Sequence, residues 1–464
     1  MKEKNVNSLL RQLPAVHELA HELSSRIDDP TPGSLRRACR EVLDRSRKSL
    51  MDGGELPGME ELVSRAEVQY RLVTGSSMRN VINATGVMLH TAIGRACLPE
   101  AAVRAVGRVA RGYSILQWNS ETGKRGHRDV HTESLICELA GSEAATIANN
   151  NAGATLLVLS ALARGREVIV SRGQLVEIGG SFRIPEVMKQ SGAVMHEVGC
   201  TNRTHLRDYE NAVNENTAVI LRVHPSNYRI RGFSEEVPLE QLVELGEKAG
   251  VPVVDDLGAG SYIDLKHFGL PSEPTVKDSI DTGASVVTSS GDKLIGGPQA
   301  GIITGKREYI QKIRKHPLAR ALRVGKLTIS ALEAALMLFR EDADYLAEHH
   351  PLYRMFSMSP DQLQKTAGEF ASNLSLPSSC SATVIETDSY VGSGSLPDHA
   401  VPSFGVGLKS PDNDELAGVL RAGDPAVASR LEDDYLKLDM RTVQPDELKK
   451  LAELVSGAAE DLWG

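Results

Sequence analysis

Three short segments of this 464-residue chain carry residues able to act together on an amino acid. The run Val286-Val287-Thr288-Ser289-Ser290-Gly291-Asp292-Lys293 reads as an apolar, β-branched strand that ends in a Ser-Gly turn and delivers one lysine. That places Lys293 at the carboxyl edge of a sheet, where open α/β folds hold their ligands. A lysine kept from water loses its proton more readily and becomes a nucleophile able to form a Schiff base. Upstream, Val251-Pro252-Val253-Val254-Asp255-Asp256-Leu257-Gly258 reads as a buried parallel strand ending in a carboxylate and a glycine. Asp256 is the candidate beside the turn, and Asp255 falls on the opposite face of the strand. In the third segment, Ala144 to Thr155, a short strand passes through Asn149-Asn150-Asn151 and Gly153 into a helix. The first N–H groups of such a helix can cradle a phosphate, and Ala152, Gly153, Ala154 and Thr155 form the expected cup.

Alone, each segment is ordinary: a lysine after a strand is usually a solvated charge, and an aspartate before a turn is usually a cap. Together they match the needs of pyridoxal phosphate (PLP). The cofactor requires a phosphate cradle, an acid that keeps its pyridine nitrogen protonated so that the ring acts as an electron sink, and a lysine for its aldehyde. Ser290, at the strand end, joins Lys293, Asp256 and the cup in the expected cofactor set. Cup, carboxylate and lysine, each at the end of a separate strand, follow the chain order of the aspartate-aminotransferase-like PLP enzymes, fold type I.

The elements that must position these residues are legible from Val81 onward. Apolar strands (167–171, 193–198, 218–224, 251–256 and 285–290) alternate with helical patterns such as Leu239 to Ala249, the rhythm of a mostly parallel α/β sheet. Ala300-Gly301-Ile302-Ile303-Thr304 follows Lys293 so closely that only an antiparallel return fits. Three domains are expected: a helical N-terminal domain (1–80) ending at Thr74-Gly75-Ser76-Ser77, a catalytic domain (81–330), and a small α+β C-terminal domain (331–464) closed by a helix from Pro445 to Leu462.

Composition narrows the class. With 41% hydrophobic and 24% charged residues the chain is globular. It shows no membrane-span-length apolar run, and Met1-Lys2-Glu3-Lys4-Asn5 does not open a signal peptide, so a cytoplasmic location is expected. Five scattered cysteines lack metal-ligand spacing, and no metal is expected. A net charge of -9 argues against wholesale coating of nucleic acid. A local basic face remains: Arg36, Arg37, Arg40, Arg47 and Lys48 lie in one helical pattern, where spacings of three and four share a side.

Longer stretches resemble the bacterial selenocysteine synthases, the L-seryl-tRNA(Sec) selenium transferases. They include Val81-Ile82-Asn83-Ala84-Thr85-Gly86, Leu89-His90-Thr91 with Gly94-Arg95, Arg125-Gly126-His127-Arg128-Asp129, the run Ser171 to Gly180, His196 to Thr204, Ser289 to Lys293, His316-Pro317-Leu318 with Arg320-Ala321-Leu322-Arg323, and Gly392 to Pro397. The resemblance implies a PLP enzyme that converts seryl-tRNA(Sec) to selenocysteinyl-tRNA(Sec) with selenophosphate, through a dehydroalanyl intermediate. It also implies a tRNA-gripping N-terminal domain and a homo-oligomer, a decamer built as a ring of dimers. Arg95, Arg128, Arg320 and Arg323 suit the anionic selenium donor, because guanidinium forks match phosphate oxygens; Arg320 and Arg323 share a face if their segment is helical. His90 and His127 are candidate proton carriers. The competing reading is a PLP lyase of the same fold acting on a small amino acid or amino sugar, since fold and cofactor do not fix substrate.

Overall fold

The computed structural model describes residues 8–75, 77–178, 182–230 and 232–464. The opening stretch Met1 to Asn5, Ser76 of the expected linker, and Gly179 and Gly180 of the quoted motif lie outside the described residues. The chain divides into two compact units, Met1–Asn80 and Val81–Gly464.

In the first unit, apolar residues at helical spacing form the helices Val16–Ser24, Pro32–Met51 and Met59–Thr74. Pro32 occupies the first helical turn, where its missing N–H costs nothing. Leu19, Leu23, Leu35, Cys39, Val42, Leu43, Leu62 and Tyr70 make the core. Arg36, Arg37, Arg40 and Lys48 are exposed and Arg47 half-buried, on the side of the middle helix away from its buried stripe. Arg37 pairs with Glu41 at 3.1 Å and Arg47 with Asp44 at 2.6 Å.

In the second unit seven strands build one sheet: β1 (Ala144–Ala148), β2 (Glu167–Ser171), β3 (Val194–Val198), β4 (Thr217–Val223), β5 (Val253–Gly258), β6 (Val286–Ser290) and β7 (Gly301–Gly305), in the order β1-β7-β6-β5-β4-β2-β3. β2 to β6 pair in parallel, whereas β7 lies antiparallel to both β6 and β1. The short return after Lys293 therefore does run antiparallel. Helices cover both faces, with Leu157, Val158, Ile310 and Ile313 in one core and Tyr209, Leu242, Val243 and Val276 in another. Burial on both faces is why these strands read as continuous apolar runs.

A second sheet, β8 (Ser381–Gly392), β9 (Ser395–Lys409), β10 (Arg430–Glu432) and β11 (Tyr435–Asp439), is antiparallel in the order β8-β9-β11-β10. Helices Pro360–Ser372, Asn413–Ala422 and Leu448–Trp463 pack on it through Leu363, Phe370, Leu416 and Leu451. The division expected at residue 330 falls inside helix Lys326–Met337, a continuous rod, and residues 81–464 form one unit. The last helix starts later than expected because Pro445–Glu447 forms a 3-10 turn first. Among the described residues no helix is long and apolar enough to cross a membrane.

Candidate active site

Lys293 leaves the end of β6 through a turn tied by the Gly291 N–H to the Ala300 carbonyl at 2.8 Å, and the lysine is 7% exposed. Burial pushes its ammonium below the usual lysine range, and the nearby positive charge of Arg95 pushes the same way; Asp256 and Asp292 oppose. The residues after it are gripped from behind. The Tyr353 hydroxyl donates to the Leu294 carbonyl at 2.8 Å, and His350 Nε2 donates to the Ile295 carbonyl at 3.2 Å. Gly296 sits at φ +63°, and a side chain there would run into the His350 ring. Complete burial pushes the His350 imidazole down to about 4, so it is neutral near neutral pH.

Asp256 lies near the end of β5 with its carboxylate fixed by three donors: Asn151 Nδ2 at 2.8 Å, Thr155 Oγ1 at 2.9 Å and the Gly258 N–H at 3.1 Å. Asp255 points to the other face, as strand alternation requires, where Arg222 and the Ser279 hydroxyl hold it at 2.8 and 2.7 Å.

The expected phosphate cup requires correction. Asn150 caps helix Asn151–Ala163 by accepting from the Gly153 N–H at 2.8 Å, and its own carbonyl accepts from the Ala154 N–H at 2.9 Å. Gly153 and Ala154 are thus occupied by the cap, and Thr155 serves Asp256. The helix start leaves the N–H groups of Asn151 and Ala152 without intrahelical acceptors, as any helix does in its first turn. Both residues line a cavity of about 220 Å³ together with Arg95, Asn150, His224, Asp256, Ser290, Asp292, Lys293 and Gln299. Orphan helix N–H groups, a buried carboxylate and a desolvated lysine in one cavity fit PLP. Asn150 and Asn151 stood in the sequence motif without a role assigned to them, and Gln299 and His224 were given none either. The preference of asparagine for helix caps was the available signal for Asn150.

The four arginines are not brought together within one chain. Arg95 lies in the Lys293 cavity, at φ +62° after Gly94, with its guanidinium 2.6 Å from Asp292. Arg128, Arg320 and Arg323 line a separate cavity of about 690 Å³ with Arg314, Lys315 and His316. Arg128 donates to the Val324 carbonyl and, at 3.1 Å, to Gln117; burial and then the proximity of Arg323 push its guanidinium down. Arg320 and Arg323 do not share a helix, because helix Pro317–Ala321 ends before Arg323. They meet in the cavity nonetheless. His127 lines this second cavity, and His90 lines neither.

Known proteins resemble the chain over most of its length. The family model described as SelA, L-seryl-tRNA selenium transferase, matches residues 81–444. The L-seryl-tRNA(Sec) selenium transferase of Moorella thermoacetica is 46% identical over 462 residues, covering 98% of this chain and 97% of the relative. That of Aquifex aeolicus is 43% identical over 451 residues, covering 96% and 98%. Among solved structures, a D-glucosaminate-6-phosphate ammonia-lyase shares the fold at a TM-score of 0.57 and 21% identity, covering 83% of this chain and 96% of that one.

Proposed function

Because the chain belongs to the L-seryl-tRNA selenium transferase family, we propose that its two cavities divide that reaction between them. The protein is a PLP-dependent enzyme of the fold type I class that converts L-seryl-tRNA(Sec) to L-selenocysteinyl-tRNA(Sec). When bound, PLP supplies an electron sink for the charge left when an α-proton departs. Lys293 would hold the cofactor, and its amine would take the α-proton. Asp256, already oriented by its three donors, would hold the ring nitrogen, Asn151 and Ala152 would offer their N–H groups to the phosphate, and Ser290 lines the same cavity. One observation carries this reading: Lys293, Asp256 and the orphan N–H groups converge on one cavity.

Arg128, Arg320 and Arg323, with Arg95, take the anionic donor selenophosphate. The separation of Arg95 from the other three within one chain supports a donor site completed by a second copy, in a decamer assembled as a ring of dimers. Residues 1–80 bind the tRNA through Arg36, Arg37, Arg40, Arg47 and Lys48, residues 81–464 carry the chemistry, and the protein works in the cytoplasm. The test incubates purified protein with seryl-tRNA(Sec) and selenophosphate, beside free serine and a protein lacking residues 1–80. Selenocysteinyl-tRNA from the full chain is expected, with none from free serine. The truncated protein is expected to keep its visible cofactor absorbance and lose tRNA affinity. Turnover of free serine, or full tRNA affinity after truncation, overturns the corresponding assignment.

A further inference from the structure

His224 lines both the Lys293 cavity and a neighbouring cavity of about 290 Å³, and it is the one residue the two linings share. It follows β4 directly, and its backbone N–H donates to the Asp256 carbonyl at 2.9 Å, which fixes the residue beside the carboxylate strand. Its Nε2 lies 3.0 Å from Glu273, whose side chain is 7% exposed. Facing a carboxylate, which only accepts, Nε2 is the donor of that contact, and Nδ1 is the other ring nitrogen. Nδ1 is buried and meets no partner among the described residues. Native structures rarely leave a buried polar atom unpaired, and where one persists it asks for an explanation such as a catalytic role. The second cavity is rimmed by exposed Arg229, Glu236 and Ser272, so water reaches it. The charged groups around His224 are Glu273, Arg222, Arg229 and Glu236 on this side, and Asp256, Lys293, Arg95 and Asp292 on the other.

We propose that His224 donates the proton with which the seryl oxygen departs, and that Glu273 is its positioning residue. This rests on the reading that the Lys293 cavity carries the seryl chemistry. As the Cβ–O bond breaks, its electron pair goes to oxygen, the Nδ1 proton joins it, and water leaves. The imidazole keeps its Nε2 proton against Glu273 and regains one at Nδ1 from water before the next turnover. The α-proton stays on Lys293 throughout, so the two protons have separate carriers.

The experiment follows loss of the seryl hydroxyl in single turnovers across pH, using the PLP-loaded enzyme and its His224→Gln, Glu273→Gln and Glu273→Asp variants. Cofactor retention is read separately from the visible absorbance. His224→Gln is expected to keep the cofactor, to slow hydroxyl loss by about a hundredfold or more, and to lose the limb of the pH profile that reports the donor. Glu273→Gln is expected to slow it by roughly tenfold and move that limb to lower pH, since removing the carboxylate disfavours the imidazolium, and Glu273→Asp to restore it. Nitrogen-15 spectra of the wild-type protein without cofactor, with His224 assigned by difference, should show one proton held on Nε2 and, in the acid form, a second on Nδ1. An unchanged rate and pH profile in His224→Gln, or a proton on Nδ1 with bare Nε2, overturns the proposal. If His224→Gln does not hold the cofactor, the wild-type spectrum and the Glu273→Gln profile decide. Failure of the underlying reading looks different: Lys293→Ala would then still remove the seryl hydroxyl.

Discussion

The two cavities handle charge in opposite ways. Around Lys293 the charged groups are already matched: Arg95 is on Asp292, Asp256 has three donors, and the lysine is buried. In the arginine cavity the two nearby carboxylates, Asp129 and Glu133, are both taken by Arg314, at 3.1 and 2.7 Å. Arg320 and Arg323 are exposed and make no ion pair among the described residues. A cavity of matched, buried charges suits a group that stays, whereas unneutralised guanidinium groups at the surface suit an anion that comes and goes.

The sharpest way to break this contrast is Lys293→Ala. It is expected to reduce both hydroxyl loss and selenium addition below detection and to abolish the visible cofactor absorbance, with the thermal unfolding midpoint little changed. Retained turnover would mean that the cavity is not the reaction centre.

A second prediction concerns the clamp that keeps the Lys293 loop in place. His350 is held near 4 in the folded protein against an ordinary value of 6.5. Its contribution to stability is therefore fully present above pH 6.5 and is lost as pH falls toward 4, because the unfolded chain takes up the proton first. The loss should reach about 3 kcal/mol over that interval. Denaturant melts of the wild type and His350→Gln measure it: the variant should lack that part of the pH slope, and identical slopes would remove His350 from the account.

The smallest effects are expected in the open cavity. Arg320→Ala or Arg323→Ala should cost about 1.5 to 3 kcal/mol of donor binding in the selenium-addition step, which is roughly one to two orders of magnitude in rate. Hydroxyl loss should change far less, and stability by no more than about 0.5 kcal/mol, because both side chains are exposed. Equal slowing of the two steps in single-turnover assays would erase the distinction between the cavities.

Lys293, Asp256 and the strands that carry them were legible because their signals are local. An apolar run sets the strand, alternation sets which aspartate faces the site, and a turn residue sets where the strand stops. The short gap before β7 likewise admitted only one strand direction. The phosphate cup was misread by one step for a tertiary reason: whether an N–H at a helix start is free depends on the side chain that caps it, and the Thr155 hydroxyl was claimed by a carboxylate that lies 101 residues away in the sequence. His224 and Glu273 gave no signal at all, since a histidine 49 residues from its carboxylate has no spacing to read.

The sequence by itself determined the sheet's rhythm, the lysine and carboxylate at its edge, and the basic stripe of the N-terminal helix, because each depends on the period of one element. Only the tertiary structure decided that the arginines fall into two cavities, that Tyr353 and His350 close behind the lysine, and that His224 stands between the Lys293 cavity and its neighbour. Those are distances between elements far apart in the chain, set by how the elements pack rather than by the order of their residues.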